Sequence, residues 1–100
     1  MADDADQRQL GKLFVSPIGL LMPGARPVQP DAFFLRTGNP AHIDWEHHVE
    51  GVPDLVIEVA SPSTAGYDRR QKQDAYARAG VREYWIVDPW GRTIELPLLD

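Results

Sequence analysis

The chain has 100 residues, 43% of them apolar, and a net charge of −5, enough for one small domain with a core. It contains no cysteine, which excludes disulfides, thiolate metal sites and cysteine nucleophiles. No apolar run approaches the roughly 18 residues a membrane span needs, and the polar, acidic residues 1–9 lack the basic and apolar regions of a signal peptide, so no membrane partner and a cytoplasmic location are expected.

Residues 1–10 read as a polar lead-in, and residues 11–100 as the domain. Residues 12–16 form a short β-prone run stopped by Pro17, and residues 18–22 a second run closed by the turn signal Pro23-Gly24. Pro30 introduces an apolar run of strand length over residues 32–36. Residues 37–51, with Gly38, Pro40 and three histidines, read as a loop. Residues 55–60 are nearly continuous in apolar side chains, as in a strand buried on both faces, and end in the turn cluster Ser61-Pro62-Ser63-Thr64. Asp68 is placed to cap a helix that stops at Gly80. Residues 83–88 form another strand ended by Pro89, with residues 92–96 as its hairpin partner. Strand, helix, strand implies a crossover and a parallel pair. The class is α/β or α+β: one mixed sheet, a meander of the early strands, and a crossover helix packed on it.

Charge is unevenly spread. Residues 41–60 carry Asp44, Glu46, Glu50, Asp54 and Glu58 without a lysine or arginine, whereas residues 69–82 carry Arg69, Arg70, Lys72, Arg78 and Arg82 against Asp74 alone. Such a division suits carboxylates for a cation and cations for a phosphate, but a solvated helix is the commoner cause. The acidic total itself argues mildly against nucleic acid.

Glu58 stands out because strand side chains alternate, putting it on one face with Val56 and Ala60. A carboxylate there is costly to bury unless it is paired or holds a cation. A solvated face or an arginine partner would explain it equally well. Asp54 shares its face, yet four residues of strand separate the two by about 13 Å, too far to share a small cation that holds its oxygens about 4.2 Å apart. Asp54 is therefore a strand-entry or loop residue, and a metal partner for Glu58 has to come from another strand. Asp31, after Pro30, is the candidate, although Pro-Asp is also ordinary turn chemistry. On the helix, Lys72, Ala75, Tyr76 and Ala79 make one stripe. A lysine on it either snorkels outward, the commoner outcome, or aims its ammonium into a polar pocket.

Taken together, residues 52–64, Asp68, Lys72, Tyr76, Gly80-Val81 and Glu83-Tyr-Trp-Ile-Val-Asp-Pro89, with Val28-Gln-Pro-Asp31 upstream, resemble the "Uma" family of restriction-endonuclease-like proteins, of the PD-(D/E)xK nuclease superfamily. The resemblance covers most of residues 11–96. It implies a restriction-endonuclease-like fold and a DNA endonuclease that uses Mg²⁺ or Mn²⁺. Asp31 then matches the first metal carboxylate and Glu58 the acidic residue of the (D/E)xK motif. Its lysine would fall at Ala60, which cannot serve, and Lys72 matches the place on the following helix to which the family's lysine has moved. The backbone carbonyl of Val59 becomes a further metal ligand, and Arg69 and Arg70 are either phosphate contacts or, more commonly, solvated residues. Family members carry a longer segment ahead of this region, so the domain is expected to be N-terminally incomplete. A sheet face stripped of a covering helix would favour association, including a homo-oligomer.

Other classes leave weaker marks. A non-catalytic remnant or interaction module would keep the sheet, use Tyr76, Trp85 and Trp90 for packing, and show Asp31 far from Glu58 or Lys72 turned to solvent. His42, Asp44, Glu46, His47 and His48 are of types that suit Zn²⁺ but match no strong ligand spacing. Ser61 and Ser63 lack the nucleophile elbow of a serine hydrolase. Trp85 and Trp90 as a base-stacking platform compete with ordinary packing.

Overall fold

The structure, a computed structural model, describes residues 10–44, 48–60 and 65–97, with helix side chains from residue 70 onward. Among the described residues, eight strands and one helix follow in chain order: β1 (Gly11–Val15), β2 (Gly19–Leu21), β3 (Ala32–Arg36), β4 (His42–Asp44), β5 (His48–Glu50), β6 (Leu55–Val59), α1 (Ala65–Ala79), β7 (Glu83–Asp88) and β8 (Thr93–Glu95). They form a five-stranded sheet in the order β1-β3-β6-β7-β8 and a three-stranded sheet in the order β2-β5-β4.

The expected class holds, with β6 and β7 parallel on either side of α1 and β8 antiparallel to β7. Three details differ. The early strands are not a meander: β1 pairs directly with β3, while β2 leaves for the small sheet and runs parallel to β5. The stretch read as a loop holds β4 and β5, three residues each. Three-residue strands are too short for a periodicity of two to register, and pairing alone defines them. Asp68 lies inside α1, which already runs from Ala65, so it is not the residue that caps its start. At the other end Gly80 has φ 97, a left-handed conformation glycine adopts without strain, and the amides of Gly80 and Val81 return to the carbonyl of Tyr76 at 3.2 and 3.0 Å.

One core lies on a single face of the large sheet. Phe14, Phe33, Val56 and Tyr84 face one another across β1, β3, β6 and β7, and the rings of Phe14 and Phe33 stack at 5.2 Å. Leu20, Met22 and Val49 from the small-sheet side, with Tyr76 from α1, close over that row. Among the described residues, no element covers the opposite face in this way. Leu55 and Ile57 are half-buried and Val59 is exposed, so β6 is sealed on one side only, not on both. Asp54 performs the strand-entry role: its Oδ2 accepts the Arg36 amide at 2.7 Å and Asn39 Nδ2 at 2.9 Å.

Candidate metal and phosphate site

The antiparallel register of β3 and β6 sets Ala32 opposite Ile57, and one step further brings Asp31 opposite Glu58. Two reciprocal hydrogen bonds lock the pair. The Asp31 amide donates to Glu58 Oε1 at 3.3 Å, and the Val59 amide donates to Asp31 Oδ2 at 2.7 Å. Asp31 is exposed at the strand end, whereas Glu58 is only 6% exposed beneath the helix. It is the buried charged residue of the core among the described residues.

The stripe on α1 faces this carboxylate. Tyr76, 1% exposed, donates its hydroxyl to Glu58 Oε2 at 2.7 Å, and Lys72 brings its ammonium to 3.6 Å from the same oxygen. Lys72 therefore does not snorkel away; its side chain keeps 39% exposure while the charge points at Glu58. Neither a solvated face nor an arginine accounts for Glu58. Oε2 is turned to the helix, and Oε1, with its long contact to the Asp31 amide, is turned to the strand end.

Desolvation is the largest influence on Glu58 and pushes its pKa up, against the lowering effects of the Tyr76 hydroxyl, the Lys72 charge and the Asp31 amide. The Asp31 carboxylate adds a smaller upward push. Tyr76 is raised too, by burial first and then by the adjacent Glu58 charge, so its hydroxyl stays a donor.

The donor set can be tested against a cation. Two carboxylates from adjacent strands suit a hard, oxygen-seeking dication, and a buried carboxylate whose ionised form lacks enough compensation has the chemistry of a group awaiting positive charge. Among the described residues no three histidine or acidic side chains converge. A cation here would take its remaining ligands from backbone and water, which is the habit of Mg²⁺. The residues present fit that ion.

Other sequence candidates go elsewhere. His42 is exposed on β4, and His48 Nε2 lies 2.8 Å from Glu50 Oε2; Glu46, His47, Ser61 and Ser63 lie outside the described residues. Trp90 is 75% exposed at the β7–β8 turn and Trp85 donates its indole N–H to Glu83. Arg70 is exposed. The residue sequence reasoning undervalued is Tyr76, read as packing. The signal was there: Lys72 and Tyr76, four apart, are polar-tipped groups on one stripe that meets the strand of Glu58.

No helix among the described residues is long and apolar enough to cross a membrane. A crystal structure of a putative nuclease belonging to DUF820, from Anabaena variabilis, shares this fold at a TM-score of 0.71 and 16% identity. The match covers 96% of this chain and 54% of that one, so the chain spans about half the length of its structural neighbour. No curated protein matches the chain. The model of the Uma2 family, described as "Putative restriction endonuclease", matches residues 3–100, and over that span this protein belongs to the Uma2 family.

Proposed function

We propose that the chain carries the catalytic strands of a Mg²⁺- or Mn²⁺-dependent endonuclease that hydrolyses phosphodiester bonds of DNA in the cytoplasm. The observation that carries this reading is the convergence of Asp31, Glu58 and Lys72 from two strands and the crossover helix, through the 3.3 and 3.6 Å contacts at Glu58. Family membership supports the reaction class.

Asp31, Glu58 through Oε1, and the Val59 carbonyl would hold the ion, and the ion when bound supplies a Lewis acid for phosphoryl oxygens and an acidified water. The chain's own groups do the rest. Tyr76 fixes the Glu58 carboxylate by its 2.7 Å bond to Oε2 and keeps the other oxygen facing Asp31. Lys72 holds positive charge beside the site and, being part-exposed, can reach an anionic group arriving from solvent, where a point charge stabilises negative charge that grows during phosphoryl transfer. The net charge of −5 gives little long-range attraction for DNA, so affinity has to come from the local cations of α1.

Calorimetric titration of Mg²⁺ or Mn²⁺ into the wild type and Glu58→Gln tests the site. Saturable heat in the wild type and none in Glu58→Gln is expected; identical isotherms would remove the metal reading. Nicking of supercoiled plasmid DNA with each metal then tests the reaction. Lys72→Ala should lose roughly 10²-fold in nicking rate while keeping wild-type metal affinity.

A further inference from the structure

We propose that Arg26 and Arg78 hold backbone phosphates of the DNA strand that leaves the candidate site, in a groove between the turn after β2 and α1. The groove encloses about 360 Å³. Its floor is apolar: Met22 and Val28 come from the segment after β2, and Ala75 and Ala79 from the helix. Arg26 stands on the first wall and Arg78 on the second, both exposed. None of the described residues that border the groove is acidic, and among the described residues neither arginine has an ion-pair partner.

Both walls are fixed, and both lead to the site. Leu20 and Val28 exchange amide–carbonyl hydrogen bonds at 2.8 and 3.0 Å, and the Ala25 amide donates to the Met22 carbonyl at 3.1 Å, closing the turn beside Arg26. Three residues beyond Val28 the chain reaches Asp31, and one turn back from Ala75 along α1 lies Lys72. Lys72, Ala75 and Arg78 follow one another at spacings of three on the helix, so Arg78 stands about 9 Å further along the axis than Lys72. That matches an axial span of about two to three nucleotides, at about 3.4 Å each within one strand. A phosphate in the groove then belongs to the strand whose scissile phosphate meets Lys72.

Charge complementarity selects the occupant. A guanidinium presents a planar fork that fits phosphate oxygens in pairs, and two of them on facing walls suit an anion with more than one charged group. The alanines of the floor let a sugar–phosphate backbone approach closely. The floor has no polar side chain to read a base edge, in keeping with contacts that set position rather than sequence. Arg78 in the last turn of α1 also suits the partial negative charge of a helix C-terminus, but that does not account for Arg26 on another element. Asp74, four residues before Arg78, is exposed and does not border the groove. In a chain of net charge −5, a groove with two cations and no acid is a local exception. The choice of DNA rests on the nuclease reading, whereas the groove itself involves neither Asp31 nor Glu58.

Binding of labelled duplex DNA to the full chain, followed by fluorescence anisotropy in EDTA over a series of salt concentrations, is the test. The wild type should bind with an affinity that falls as salt rises. Arg26→Ala and Arg78→Ala should each weaken binding roughly ten-fold at about 50 mM salt and make the log–log salt slope shallower by about one. Arg26→Lys and Arg78→Lys should keep the wild-type slope. Both positions are exposed, and an unchanged far-UV circular dichroism spectrum verifies the fold; should one alanine variant not fold, the other carries the test. A wild type that binds no DNA, alanine variants that bind as the wild type does, or weaker binding with an unchanged slope would each overturn the proposal. So would oligoglutamate of matched charge that displaces the DNA as well as unlabelled duplex does, which would give the groove to an acidic peptide. Plasmid nicking separates the two readings. Binding that depends on both arginines, with no nicking, would leave the anchor and remove the nuclease reading; nicking by variants of unchanged binding would remove the anchor alone.

Discussion

The two faces of the five-stranded sheet invert the usual arrangement of polar and apolar groups. The face under α1 and the small sheet is sealed, yet it holds an ionisable group, Glu58 at 6% exposure. The other face carries Arg36 and Glu83 beside apolar rows, and Leu13, Val15, Val59 and Ile94 on it are each at least half exposed. Exposed single hydrophobes are ordinary; a buried carboxylate and a contiguous exposed apolar face are not. One face buries a carboxylate that Tyr76 and Lys72 meet, and the other leaves apolar side chains exposed.

The contrast predicts its largest effect in the sealed row. Phe33→Ala, at a fully buried position stacked on Phe14, should lower unfolding free energy by about 3–5 kcal/mol, a large part of the roughly 5–15 kcal/mol available to a small domain. Chemical denaturation measures it, and a loss under about 1 kcal/mol would mean that this face is not the core.

Removing one hydroxyl probes the same face more finely. Tyr76→Phe should cost about 1.5–3 kcal/mol at neutral pH, the range for a hydrogen bond to a charged group, and should weaken Mg²⁺ binding by freeing Oε2. Since the Tyr76 hydroxyl lowers the Glu58 pKa, its loss raises that pKa further, and the penalty should shrink in acid once Glu58 is protonated. An equal loss at both pH values would leave packing as the whole role of Tyr76.

The Glu58 shift also gives the wild type its own pH signature. Burial holds its folded pKa above the ordinary carboxylate value of 4.5, so the folded state holds this proton more tightly than the unfolded state. The contribution is complete below 4.5 and is lost as pH rises through the folded pKa. Without metal, the wild type should therefore lose stability relative to Glu58→Gln on going from acid to neutral pH. Saturating Mg²⁺ should reverse the difference, because the ion requires the ionised carboxylate. A metal-free difference that does not vary with pH would contradict the burial of this group as described.

The smallest effect belongs to the bare face. Leu13→Ser, at 60% exposure, should shift monomer stability by no more than about 0.5 kcal/mol when measured at low concentration, while raising solubility. A loss comparable with that of Phe33→Ala would show that the face is covered within the monomer.

Much of this was legible in the residue order. The apolar runs of β3, β6 and β7, the glycine that ends α1, and the proline that closes β7 are local signals, and local sterics alone produce them. Strand alternation singled out Glu58, and strand geometry excluded Asp54 as its partner. The sequence could not show that β2, β4 and β5 form a second sheet, because three-residue strands carry no pattern of their own and exist only through pairing. Nor could it show which strand faces would be sealed: alternation sorts side chains into two sets, but only the placement of the helix and the small sheet decides which set meets water. The convergence of Asp31, Lys72 and Tyr76 on Glu58 belongs to this second kind of fact. It depends on the register between strands 27 residues apart in sequence and on how α1 docks, and both are set by long-range packing that no local stretch of chain encodes.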